Sequence, residues 1–170
     1  NDDTVALGTL IHELGHTLGL PHSGTRQCPH ADDRVPGPAE PHNSSGCADD
    51  EYGNLADPMG ATADSLPAPF GAVNRYRLGW LAPHTVTHLT SQPGQQSPDG
   101  TSSTTVTLTP TGRDGTHLVL AGRWAISHRG STGIDESGQP TGHGIVVQEL
   151  SGEDQPWDLT WPVYPGSDVL

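Results

Sequence analysis

The sequence has no lysine, and its basic side chains are seven arginines against 20 acidic residues, for a net charge of −13. Such a surface repels phosphate groups, which argues against a nucleic-acid partner. No run of 18 apolar residues occurs either, which argues against a membrane span. Hydrophobic residues make up only 31% of the chain, beside 22 Gly and 16 Pro. This balance favours a loop-rich protein with short strands over a helical bundle.

Only two cysteines are present, Cys28 and Cys47, which lie 19 positions apart. In an oxidising compartment they would pair, and by loop-closure entropy this disulfide would stabilise the fold by about 3 kcal/mol. A second zinc site built from Cys28, His30, His42 and Cys47 is one alternative, and two unpaired thiols are another. We expect the disulfide.

Sequence patterns divide the chain into a first part, residues 1–83, and a β-rich part, residues 84–170. In the first part, residues 2–19 predict one helix, and residues 20–69 predict a long irregular segment. Residues 70–81 predict a short helix followed by a Gly-Trp turn. In the β-rich part, short runs between Gly, Pro and Asp clusters predict strands. These strands are expected at residues 85–89, 104–109, 118–121, 124–127 and 144–150.

One face of the first predicted helix is apolar and about 60° wide at 100° per residue. It consists of Leu7, Ile11, Leu14 and Leu18. We expect this face to pack in a core. His12 and His16 point away from it and are expected to face a cleft. Gly19 ends the helix and tolerates a positive φ, so that the chain can reverse sharply.

The most informative motif runs from His12 to His22, HELGHTLGLPH. Two imidazoles four residues apart share one helix face and can bind one ion. His22 follows the glycine that ends the helix and can turn back to complete a three-nitrogen zinc site with His12 and His16. Three neutral imidazoles leave one zinc position for water, which is typical of a catalytic site. Glu13 is not needed as a ligand and can accept the proton of that water.

This motif resembles the metzincin clan of zinc endopeptidases, in which a tight Met-turn places a methionine beneath the metal. The single methionine, Met59, lies 37 residues after His22 in the sequence EYGNLADPMG. Together with GHTLGLPHSG and FGAVNRYRLGWL, this sequence is similar to the gametolysin group of that clan. The resemblance covers residues 4–81 well and the β-rich part only weakly.

The resemblance implies an α+β fold. Residues 1–83 would be the C-terminal part of a zincin-like (metzincin) catalytic domain, with its active-site helix and Met-turn, and residues 84–170 a small, sandwich-like β domain. It implies a secreted zinc metalloendopeptidase with one catalytic Zn²⁺, water activated by Glu13, and extracellular proteins of cell wall or matrix as substrates. Metzincin domains carry a sheet before this helix, and only 11 residues precede His12, so we expect an upstream region to be missing.

Other interpretations stay open. One is a secreted β domain that binds other molecules and carries an inactive protease remnant, and another is a zinc hydrolase that acts on something other than peptides. Tyr52 is either an electrophilic helper at the site or a packed side chain. The acidic pairs 32–33, 49–50 and 135–136 either bind Ca²⁺ or form solvated loops, and none follows an EF-hand spacing.

Overall fold

The computed structural model describes residues 2–27, 48–54, 57–61, 69–89, 104–110, 113–130, 144–152 and 158–161. The first helix, α1 (Asp2–Thr17), is followed by strands β1 (Ser23–Gln27) and β2 (Ala48–Asp50) and by a short helix, α2 (Ala72–Arg77). A 3-10 turn at Pro83–Thr85 precedes five further strands. These are β3 (Val86–Leu89), β4 (Leu118–Ala121), β5 (Trp124–Arg129), β6 (Gly144–Glu149) and β7 (Asp158–Trp161).

The strands form one mixed sheet in the order β2-β1-β7-β6-β5-β4-β3. The β1–β7 and β3–β4 pairs are parallel, and the other neighbours are antiparallel. Because β1 and β2 precede residue 84, the sheet combines strands from both predicted parts of the chain. The boundary predicted at that residue is therefore not a boundary between sheets, and the described strands of residues 84–170 form no sandwich.

Four of the five predicted strands coincide with β3, β4, β5 and β6, where β-branched and apolar residues give a strong local signal. At residues 104–110, the described chain shows only an isolated bridge from Leu108 to Thr116. The prediction of an irregular segment over residues 20–69 is wrong at β1 and β2, whose sequences SGTRQ and ADD have no apolar alternation. Their pairing relies on partners distant in sequence, because Arg26 of β1 donates two hydrogen bonds to Asp49 of β2.

The disulfide prediction falls on residues that the structure leaves undescribed. Cys28 and Cys47 lie outside the described residues, as do His30 and His42 of the alternative zinc site. The disulfide therefore stays a prediction. The neighbouring residues Gln27 and Ala48 are register partners at the end of the β1–β2 ladder.

The second helix packs on the sheet. Ala72 and Val73 of α2 are buried together with Leu118 of β4 and Ala125 of β5. Leu81, Val86, Leu120 and Leu150 pack around this core. The helix is followed by Gly79, whose φ of +71° a glycine adopts without strain. The prediction of a helix and then a turn over residues 70–81 is therefore confirmed.

The first helix contacts the rest of the chain through a face that its apolar pattern did not indicate. The prediction that its leucine face lies in a core is wrong, because Leu7, Leu14 and Leu18 are 44%, 52% and 49% exposed. Gly8 and Gly15 are buried instead, and they lie within about 20° of each other around the helix. Two glycines on one face allow a neighbouring segment to approach the helix backbone closely. Neither helix in the described part of the chain is long and apolar enough to span a membrane.

Candidate metal centre

The three histidines of the HELGHTLGLPH motif lie together. Each histidine offers one ring nitrogen as a ligand atom, and the three ligand atoms lie within 4.8 Å of one another. The Nε2 atoms of His12 and His16 are 3.1 Å apart. The ring centroid of His22 lies 5.4 Å from that of His12 and 4.6 Å from that of His16. All three predicted ligands are thus close enough to share one ion.

The chain reverses after α1, which turns His22 toward the other two histidines. Gly19 has a φ of +84°, as predicted for this position. Leu20 is buried, and its N–H donates back to the last turn of the helix over 3.0 Å. β1 then begins at Ser23, whose N–H donates to the carbonyl oxygen of Met59 over 2.8 Å. His22 is thereby held between the end of a helix and the start of a strand.

The second ring nitrogen of each helical histidine already has a partner. Nδ1 of His12 lies 2.8 Å from the carbonyl oxygen of Pro58, and Nδ1 of His16 lies 3.0 Å from that of Leu20. A carbonyl oxygen can only accept, so both Nδ1 atoms carry the hydrogen. In a neutral ring, Nε2 then has a lone pair and no hydrogen. Two lone pairs facing each other are unfavourable unless a proton or a metal cation is shared between them.

The ring of His22 is oriented by a side chain. Its Nδ1 donates to the carboxylate of Glu51, which follows β2 directly. The same tautomer results, because an ionised carboxylate can only accept. In the neutral ring of each histidine, Nε2 is then the nitrogen with a lone pair, and neutral imidazole is the form that binds a metal.

Met59 lies beneath α1 and is fully buried. A Cβ added to Gly15 would meet the Met59 sulfur at 2.2 Å, so the sulfur packs directly on the helix backbone. Gly15 lies in the helical turn between His12 and His16. The methionine is therefore placed under the turn that carries two candidate ligands, and its identity as a Met-turn residue stays a prediction.

A buried carboxylate fixes the segment that carries this methionine. Asp57 is 3% exposed and accepts hydrogen bonds from the N–H groups of Met59 at 2.9 Å and Gly71 at 2.8 Å. The side-chain amide of Asn74 donates to both carboxylate oxygens at 3.1 Å. Burial raises the pKa of the Asp57 carboxyl, and these donors oppose that shift by stabilising the charge. Asp57 thus joins the turn at Met59 to the first turn of α2.

Two further predicted residues lie at or beside the cluster. Glu13 is exposed on α1, about 100° around the helix from His12 and about 60° from His16. The ring of Tyr52 is 42% exposed, and its centroid lies 4.3 Å from that of His22. Tyr52 therefore contacts the site, and a part for it in the chemistry stays a prediction.

A cavity opens beside the histidines. Its volume is about 210 Å³, and it is lined by Thr9, His12, Tyr52, Gly60 and Ala61. Because His12 forms part of its wall, a group bound in the cavity would lie next to the cluster. The walls otherwise consist of small residues and one tyrosine.

Comparisons with family models, curated proteins and solved structures gave no match. The similarity to the metzincin clan therefore rests on motifs of the chain itself. The contacts of Met59 with α1 and the closeness of the three histidines are independent geometric observations beside those motifs.

Three residues at the site were given no role of their own by the sequence, although they lie within the motifs HELGHTLGLPH and EYGNLADPMG. Gly15 has a local signal, because a glycine inside a helical pattern points to close packing. Asp57 and Glu51 have none, because their partners lie far away in sequence. The acidic pair at residues 49–50, a candidate for Ca²⁺, is used within the fold: Asp49 accepts from Arg26, and Asp50 accepts from the N–H of Tyr52 at 3.1 Å.

Proposed function

We propose that the chain is a secreted zinc metalloendopeptidase of the metzincin type, similar to the gametolysin group, that hydrolyses extracellular proteins. The observation that carries this proposal is the convergence of three imidazoles whose Nδ1 atoms are already bonded to acceptors. Catalytic zinc sites commonly use three protein ligands and leave one position for water.

The donor set favours zinc among the common metal ions. Imidazole nitrogens suit zinc, whereas calcium and magnesium prefer carboxylate, carbonyl and water oxygens. The three histidines would hold the ion. Three neutral ligands would leave its positive charge undiminished, which favours Lewis-acid chemistry.

The chemistry assigns separate tasks to the ion and to the chain. When bound, zinc would polarise a peptide carbonyl and lower the pKa of its bound water toward about 7. The carboxylate of Glu13 accepts a proton from the attacking water and then donates it to the departing amine nitrogen. The exposure of Glu13 leaves it free to meet water and substrate. The cavity beside His12 and Tyr52 receives a side chain of the substrate.

The proposal is tested with the full-length protein and two carboxylate variants. Glu13→Gln removes the proton acceptor and should lower casein hydrolysis roughly 10²- to 10⁴-fold, the range for general acid–base groups. Its zinc content should not change, because Glu13 is not a ligand. Asp114→Asn makes the same charge change at an exposed turn before β4 and should leave hydrolysis unchanged.

The same assay separates the alternatives. A protease of this type loses casein hydrolysis in a zinc chelator and recovers it when zinc is added. A protein that contains zinc but hydrolyses only small esters would be a non-peptidase hydrolase. A purified chain without zinc, with functions insensitive to chelation, would be a binding protein. Undiminished casein hydrolysis by Glu13→Gln would contradict the role given to Glu13.

A further inference from the structure

The three candidate ligands differ in what orients them. The Nδ1 atoms of His12 and His16 donate to backbone carbonyl oxygens, and a side-chain substitution does not remove such acceptors. His22 lies beyond the end of α1 and lacks the restraint of a helix. Its Nδ1 donates to a side chain, the carboxylate of Glu51. This ring is therefore the one whose orientation depends on a replaceable group.

The β1–β2 ladder brings Glu51 to this place. Asp50 is the register partner of Thr25, and Glu51 follows directly after it. Glu51 therefore lies near the N-terminal end of β1, which His22 directly precedes. Arg26, which is 8% exposed, donates to both carboxylate oxygens of Asp49 and holds the two strands together. The position of Glu51 is thereby set by a strand pair and not by a free loop.

We propose that Glu51 is a positioning residue that fixes the tautomer and orientation of His22 for zinc. This inference rests on the proposed function. A carboxylate that accepts from the far nitrogen of a ligating histidine holds the ring in place and raises the basicity of the ligating nitrogen. Loss of such a partner typically lowers metal affinity about 10- to 100-fold. Glu51 touches neither the ion nor the substrate in this account, and it acts through His22.

The test measures the zinc affinity of the metal-free protein by competition with a chromogenic chelator. Glu51→Ala should weaken binding about 10- to 100-fold. Glu51→Gln keeps an acceptor oxygen without the charge, so its affinity should fall between those of Glu51→Ala and the unaltered protein. Asp114→Ala removes a carboxylate from an exposed turn outside the site and should bind zinc as the unaltered protein does.

A second measurement separates positioning from general damage to the fold. Circular dichroism of the metal-free proteins should show the same secondary structure and melting temperature for Glu51→Gln and Asp114→Ala. Substitution of cobalt for zinc should give an altered visible spectrum in the Glu51 variants only. If Glu51→Ala fails to fold, the comparison of Glu51→Gln with Asp114→Ala decides the question.

The outcomes distinguish this inference from the proposed function. Zinc binding by the unaltered protein, with equal affinity in both Glu51 variants, would overturn the role of Glu51 and leave the metal site intact. Failure of the unaltered protein to bind zinc would overturn both. A graded loss from Glu51→Gln to Glu51→Ala, without loss in Asp114→Ala, is the expected result.

Discussion

The two α-helices that the structure describes are held in place by different means. α2 buries Ala72 and Val73 against Leu118 of the sheet, an ordinary apolar contact. α1 leaves its leucines exposed and is held from an adjacent side, because Gly15 lies about 70° around the helix from the centre of the leucine face. That side contacts the turn at Met59 through Gly15, and its histidines donate to backbone carbonyl oxygens.

The difference separates the part of the described chain that buries apolar side chains from the part that carries the candidate site. Apolar burial beneath α2 contributes hydrophobic free energy, which scales with the area removed from water. The contacts of α1 include hydrogen bonds from its histidines to backbone carbonyl oxygens, which orient the imidazole rings. Changes under α2 should therefore alter global stability, whereas changes under α1 should alter the site.

The largest effect is expected when the same substitution is made in the core beneath α2 and on the surface of α1. Leu118→Ala removes a side chain that is 0% exposed, and it should lower the free energy of unfolding by about 2–5 kcal/mol. Leu10 lies on the surface of α1 and is 64% exposed, so Leu10→Ala should change the free energy of unfolding by less than about 0.5 kcal/mol. Urea denaturation measures both. Equal losses would remove the distinction between the helices.

An intermediate loss of stability is expected when the buried carboxylate of Asp57 is replaced. Asp57→Asn turns an amide group toward N–H donors and should lower the free energy of unfolding by about 1–3 kcal/mol, the range for an unsatisfied buried group. It should also weaken zinc binding, because the turn at Met59 loses its anchor. The matched control Asp114→Asn, at an exposed turn outside the site, should have little effect on either. Thermal melts and zinc titrations of both variants test this expectation.

The smallest effect, and the most specific one, is expected at Gly15. Replacing a glycine inside a helix with alanine ordinarily stabilises a protein by about 0.5–1 kcal/mol. Here the new methyl group would meet the Met59 sulfur, so Gly15→Ala should instead cost about 1 kcal/mol, as overpacking does. In a Met59→Ala background the same change should regain its stabilising sign. A stabilising Gly15→Ala in the unaltered background would show that the sulfur is not packed on this helix.

The parts of the fold that the sequence predicted are those whose signal is local. The motif HELGHTLGLPH indicated a helix, a glycine turn and three nearby histidines, because all of these depend on spacing along a short segment. β4 and β6 follow from runs of apolar and β-branched residues. The β1 and β2 strands could not be predicted in this way, because Arg26 finds its partner Asp49 only in the folded chain.

The residues of the candidate site also differ in whether their roles have a local sequence signal. His12, His16, His22 and Met59 lie in motifs that a reader can find in the sequence. Glu51 and Asp57 accept hydrogen bonds from residues 29 and 14 positions away, and their local sequence does not indicate these partners. The buried face of α1 lies beside the predicted apolar face, because Gly8 and Gly15 are buried there and a hydrophobic pattern gives glycines no weight.

The central claim is that three histidine nitrogens bind one zinc ion. X-ray absorption spectroscopy of the zinc-loaded protein tests it most directly, because it counts the ligand atoms and identifies them by distance. We expect a coordination shell of nitrogen and oxygen atoms only, at about 2.0–2.1 Å from the zinc. Imidazole scattering should come from three rings in the unaltered protein and from two rings in His22→Ala. Sulfur ligands at about 2.3 Å, or a spectrum unchanged in His22→Ala, would contradict it.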